Sequence, residues 1–192
     1  MAHLHSIAVF CGSSHGSDPA FTTAAKNLGV AFCERGIALV YGGGNRGIMG
    51  TLATTVHEKG GKVTGVLPRF FDVPAVRTGE KNTSVEIVSG MHERKARMAD
   101  LADGFIVLPG GIGTCDEFFE TYTWKQIGLH DKPIALLNTK GFYNGLLSFL
   151  NSASSEGFIS REALHALIIE ENPARLLDRM EEHQAVLPEK LG

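Results

Sequence analysis

The chain has 192 residues, 43% hydrophobic and 20% charged, with a formal net charge of −3. That is the composition of a globule able to bury a core, and it offers no basic footprint for nucleic acid. Cys11, Cys33 and Cys115 form no zinc-type pair or disulfide framework, no basic leader opens the chain, and no apolar run nears the roughly 20 residues of a membrane span, so a cytoplasmic protein without membrane partners is expected.

Ser6 to Cys11 reads as a first buried strand running into Gly12-Ser13-Ser14. Asp18-Pro19 is a helix-start signal, and the helix that follows is expected to stop at Gly36. A second strand, Ile37 to Tyr41, runs into Gly42-Gly43-Gly44-Asn45-Arg46-Gly47, which opens a helix over about 48–59. Val63 to Leu67 is the third strand, closed by Pro68. Residues 69–83 are polar and irregular and are expected to form a loop or flap near the site. Val85 to Val88 is the fourth strand and Met91 to Leu101 a short charged helix.

Phe105 to Leu108 follows as a continuous apolar strand, stopped by Pro109. Gly110, Gly111 and Gly113 make a turn, and Thr114 is expected to cap the next helix, with Glu117 at capping-box spacing. That helix carries Phe118, Phe119, Tyr122 and Trp124. A strand from Ile134 to Asn138, a helix over 145–156, a short strand from Ala166 to Ile169 and a helix over 173–182 complete the chain. Strands alternating with helices, joined by short turns, predict one α/β domain over 1–192, a doubly wound parallel sheet with helices on both faces. A loose tail is expected after about residue 185.

Two glycine turns at carboxyl ends of strands predict a shared anionic ligand, because helix N-termini favour negative charge. Gly42, Gly44 and Gly47 match the spacing of a dinucleotide fingerprint, yet the next strand lacks the acid that would hold a ribose. A phosphate-loop ATPase motif is absent as well. The second turn differs from a plain phosphate cradle in its acids, Asp116, Glu117 and Glu120, which suggest a carboxylate for chemistry beside a phosphate. Arg94 precedes the strand that delivers this turn, and its planar fork suits a phosphate or a developing charge. Lys95 and Arg97 also read as a solvated face, and His92 as a structural or surface residue. No histidine shows metal-ligand spacing, so no metal and no cofactor is expected.

The segment from Met91 to Glu120, with M-H-x-R-K followed by P-G-G-x-G-T-x-x-E, resembles the signature of the Lonely Guy family. GGGNRGIMG resembles that family's earlier glycine turn, and the likeness runs from Ile7 to about Arg179. The resemblance implies a Rossmann-like homodimer that hydrolyses the N-glycosidic bond of an adenine-type nucleoside monophosphate, with Arg94 and Glu117 as the catalytic pair. On this reading Gly42, Gly43, Gly44, Met91, Lys95, Gly110, Gly111, Gly113, Thr114 and Glu120 bind substrate or its phosphate. The chemistry agrees, because carboxylates stabilise the oxocarbenium-like centre of glycoside cleavage. Family members have also been labelled lysine decarboxylases, but that reaction needs pyridoxal phosphate on a Schiff-base lysine, and no lysine here has a convincing setting. A non-catalytic nucleotide carrier is the alternative. The preferred base, adenine or an N6-modified one, depends on a pocket expected from the 69–83 loop and a partner subunit. The homodimer is expected to pack through helices around Phe118 to Trp124 and the segment after it.

Overall fold

The computed structural model describes residues 4–72 and 83–183. Its core is one parallel sheet of seven strands: β1 (Ser6–Phe10), β2 (Ala38–Tyr41), β3 (Val63–Pro68), β4 (Thr83–Val88), β5 (Gly104–Val107), β6 (Ile134–Leu137) and β7 (Leu167–Glu170). They lie in the order β4-β3-β2-β1-β5-β6-β7. The chain winds outward from β1 to β4, crosses back to place β5 against β1, and winds outward again. The reversal therefore falls between β1 and β5, where ligands of open α/β sheets bind at the carboxyl ends.

Among the described residues seven helices cover the sheet: α1 (Pro19–Arg35), α2 (Gly47–Glu58), α3 (Met91–Leu101), α4 (Ile112–Gln126), α5 (Asn144–Ser155), α6 (Arg161–His165) and α7 (Pro173–Glu182). The central strands are buried on both faces, and their alternation divides the core in two. Ile7, Val9, Ile106, Ala135 and Leu137 face Leu28 and Phe32 of α1, Leu52 of α2 and Leu176 of α7. Ala8, Phe10, Phe105, Val107 and Leu136 face Met98 of α3, Phe118 and Tyr122 of α4 and Leu150 of α5. The expected doubly wound architecture is the one observed.

Local signals act as expected at several ends. The Asp18 carboxylate accepts from the Ala20 N–H at the start of α1, and Gly36 closes that helix with φ 68°. Two short 3₁₀ turns, Arg69–Phe71 and Thr139–Gly141, and helix α6 are additions to the elements read from sequence. The expected flap falls mostly on residues 73–82, outside the described residues, as does the expected tail. One capping expectation is overturned. Thr114 does not cap α4, because the helix starts earlier and Gly111 is its cap, in extended backbone that needs no side chain. Thr114 instead lies inside the first turn, its hydroxyl packed so closely on Gly110 that any Cβ there would collide with it.

Candidate active site

Three βα turns meet above the β1–β5 reversal. The Gly12 N–H donates to the Pro109 carbonyl at 3.1 Å, joining the turn after β1 to the turn after β5. The Met49 and Ile48 N–H groups donate to the Gly12 and Ser14 carbonyls at 3.2 and 3.4 Å, joining the start of α2 to the same turn. Gly47, at φ 62°, packs against the Ser13–Ser14 backbone so tightly that a Cβ would overlap it. The two glycine turns consequently differ. Neither helix has a side-chain cap, but the leading amides of α2 already serve the turn after β1. The α4 N-terminus thus keeps donors and the positive end of a dipole for an anion.

These turns enclose a cleft of about 530 Å³ whose walls include Gly12, Ser13, Gly42, Gly44, Met91, Arg94, Gly111, Gly113, Thr114 and Glu117. Most of the residues singled out from sequence are brought together here. Gly43 and Gly110 serve behind the wall: Gly43, at φ 78°, lies against Leu67, and Gly110 lies under Thr114. Sequence reasoning missed the apolar wall of Met49, Leu67 and Phe71, and Cys11 on the floor. The Gly12-Ser13 turn was visible as a strand end, and the rule of strand carboxyl ends could have assigned it to the crevice. Phe71 belongs to the stretch expected beside the site.

The charged centre is a buried pair. Arg94 Nη2 lies 2.7 Å from Glu117 Oε1, and the two residues are 8% and 5% exposed. Arg94 Nη1 points to the Met91 sulfur at 3.7 Å, while Arg94 Nε is buried with no partner. A fork of five donors is therefore only partly engaged. Gly42 is required to make room, since a Cβ there would strike the guanidinium. Burial pushes the Glu117 carboxyl above its usual range; Arg94 and Lys95 pull it down, and Asp116 and Glu120 push it up. Glu117 stands in the second turn of α4, so its carboxylate meets Arg94 and has no capping role.

Burial, and then the Glu117 charge, keep the Cys11 thiol protonated far beyond neutral pH, so it is no nucleophile. Lys95 and Glu120 are not on the cleft wall: the Lys95 ammonium lies 3.1 Å from both Asp116 and Glu120. Arg97 pairs with Glu86 at the surface, at 2.6 Å. A second hollow, about 660 Å³, opens beyond Arg46 between Lys26, Thr54 and Glu58. It is larger but holds no comparable buried pair.

A family model described as "Possible lysine decarboxylase" matches residues 49–180. The described residues do not fit that name. No lysine among them lines the cleft. Burial lowers the Lys95 pKa, but its bonds to Asp116 and Glu120 outweigh this and hold the ammonium charged. Burial brings Lys125 down to about 8, yet its ammonium is bound to the Asp131 and Lys132 carbonyls away from the cleft. Among curated relatives, the cytokinin riboside 5′-monophosphate phosphoribohydrolase LOG of Oryza sativa subsp. japonica is 48% identical over 177 residues, 92% of this chain and 73% of that protein. LOG7 of Arabidopsis thaliana is 47% identical over 178 residues, 93% of this chain and 82% of that protein. Among solved structures, the molybdenum cofactor binding protein of Rippkaea orientalis superposes with a TM-score of 0.69 at 20% identity, over 92% of this chain and 95% of that one. At that identity it shares the fold alone. With a matching model over most of its length and relatives almost half identical across most of theirs, this chain belongs to the LOG family, whose curated members are named cytokinin riboside 5′-monophosphate phosphoribohydrolases.

Proposed function

We propose that the chain hydrolyses the N-glycosidic bond of an adenine-type nucleoside 5′-monophosphate, AMP or an N6-modified cytokinin riboside 5′-monophosphate, giving free base and ribose 5-phosphate. The observation that carries this reading is a buried carboxylate, Glu117, paired to Arg94 at 2.7 Å beside the start of α4, which no side chain caps. A module that only held an anion would be weakened by a carboxylate there, whereas glycosidic cleavage uses one. The names of the curated relatives point to the same reaction.

The residues divide the work as follows. The backbone of Gly111 to Thr114, with Gly110 beneath it, holds the 5′-phosphate at the positive end of α4. Gly42 and Gly44 let the turn after β2 approach the ligand closely, and Gly43 shapes that turn against Leu67. Met91, with Met49, Leu67 and Phe71, forms an apolar wall for the base. As the bond to the base lengthens, positive charge grows on the ribose carbon, and Glu117 stabilises it or draws a proton from the attacking water. Arg94 keeps Glu117 oriented and favours its ionised form, and the N–H groups of the fork that Glu117 does not take meet substrate anion or the departing base.

The 5′-monophosphate is expected to be cleaved and the free nucleoside hardly at all. Each charge-assisted hydrogen bond to the phosphate contributes about 1.5–3 kcal/mol, so two of them correspond to at least roughly 10²-fold in kcat/KM. Base release from AMP and adenosine under one condition tests this, and equal rates would overturn it.

The assembly belongs to the same proposal. Phe118 and Tyr122 are buried in the protomer's own core, so they are not available to a second copy. What α4 leaves at the surface is Ile112, 91% exposed, and Phe119, 37% exposed, with a partly buried Trp124. Such exposed apolar groups suit an interface core, and a homodimer packed there is expected in solution. Light scattering that returned the 20.6 kDa of one chain at micromolar concentration would refute it. No described helix is long and apolar enough to cross a membrane, and the free cysteines suit a cytoplasmic setting.

A further inference from the structure

Lys95 follows Arg94 on α3, yet the mechanism above gives it no part. It is 7% exposed, and lysine is almost never that buried unless it is paired. Its ammonium lies 3.1 Å from Asp116 Oδ2 and 3.1 Å from Glu120 Oε1. Those two carboxylates flank Glu117 in sequence, one residue before and three after, and all three arise from the same stretch of α4. The second oxygen of Glu120 is buried without a partner, so Lys95 is the cation that compensates this carboxylate. Two adjacent residues of α3 thus grip three acids of α4: Arg94 takes Glu117, and Lys95 takes the pair around it.

Building on the reading of Glu117 as the reacting carboxylate, we propose that Lys95 is a positioning residue. Its ammonium neutralises Asp116 and Glu120 together, and so fixes α4 against α3 and holds Glu117 in its working place and charge state. The groups facing Glu117 are Arg94 and Lys95 from α3, Asp116 and Glu120 from α4, and the protonated Cys11 just after β1. Beyond burial, which raises the Glu117 pKa most, the two cations lower it and the two flanking acids raise it. Loss of the ammonium removes one lowering charge and frees two raising ones. A purely structural bridge would alter stability and leave the pH dependence in place.

The experiment is the pH profile of kcat/KM for base release from AMP in the full-length protein, with thermal melts alongside. Lys95→Met is expected to lower kcat/KM about 10-fold or more near neutral pH and to move the acid limb upward by about one unit, a tenfold change in proton affinity. The double variant Asp116→Asn/Glu120→Gln keeps Lys95 and is expected to move the limb the other way, to lower pH. It also tests the charge relation should Lys95→Met fail to fold. A working wild type whose limb stays in place in the double variant, or in a folded Lys95→Met, overturns the role of Lys95 alone. A wild type that releases no base overturns the functional reading and this inference with it.

Discussion

Glu117→Gln is expected to lower kcat for AMP by about 10²-fold or more while leaving AMP affinity nearly unchanged. Glutamine has the same shape and can still accept the hydrogen bond from Arg94 Nη2 that Glu117 Oε1 accepts at 2.7 Å. What it lacks is the negative charge, and that charge acts on a ribosyl centre that is positive only in the transition state. An interaction made only there appears in kcat and not in ground-state binding, and losing a positioned acid–base group costs about 10²–10⁴-fold. The wild-type profile carries a second sign. Burial raises the Glu117 pKa more than Arg94 lowers it, so activity that needs the carboxylate falls, as pH drops, at a pH above the ordinary carboxylate range. Glu117→Gln should lose that limb along with the rate. Single-turnover adenine release with calorimetric AMP binding checks both points, and near-normal turnover would remove Glu117 from the reaction.

How far the sequence foretold this site follows from which interactions are local. The strands were legible because parallel strands buried on both faces are continuous apolar runs, and α3 and α7 took the predicted bounds because Gly90, Pro173 and the change of pattern mark them. The grouping of Arg94, Glu117 and the glycine turns was legible through the motif they share. The capping box was not what it looked like: Thr114 and Glu117 had the spacing, but Gly111 supplies the extended backbone that starts the helix, and spacing alone cannot tell the two apart. Nor could the sequence show that Lys95 stays off the cleft wall, since it lies beside Arg94 and differs only in the acids that helix packing sets opposite each. The apolar wall of Met49, Leu67 and Phe71 comes from three separate elements, a relation that exists only once β2 and β3 pair and α2 packs on them. The aromatic residues of α4 misled in the same way. Helical periodicity put them on more than one face, and only the packed sheet shows that Phe118 and Tyr122 belong inside.

Arg94→Ala is expected to damage both binding and turnover, and so to differ in kind from the Glu117 variant. The guanidinium is buried, bonds Glu117, and keeps its Nε without a partner inside the cleft wall. A contact with substrate phosphate or base from that position exists in the ground state as well as the transition state, so its loss raises KM. Truncation also strands Glu117, which loses the strongest influence lowering its pKa and keeps the burial that raises it. A larger share of the enzyme then carries a protonated Glu117 near neutral pH, kcat falls, and the acid limb moves upward. Removing one member of a buried ion pair costs about 3–5 kcal/mol of stability, so the melting temperature should drop as well, whereas Glu117→Gln retains a hydrogen-bonded partner for Arg94. The combined loss in kcat/KM is expected at about 10³-fold, because a positioned electrostatic donor alone contributes about 10²–10³-fold and binding is lost besides. Arg94→Lys should not restore it, since an ammonium cannot reproduce the fork that reaches Glu117 and ligand together. Steady-state kinetics, AMP titration and the pH profile on the same preparations separate these effects. An Arg94→Ala protein with wild-type KM and a reduced kcat alone would show that the guanidinium acts on Glu117 and never on the substrate.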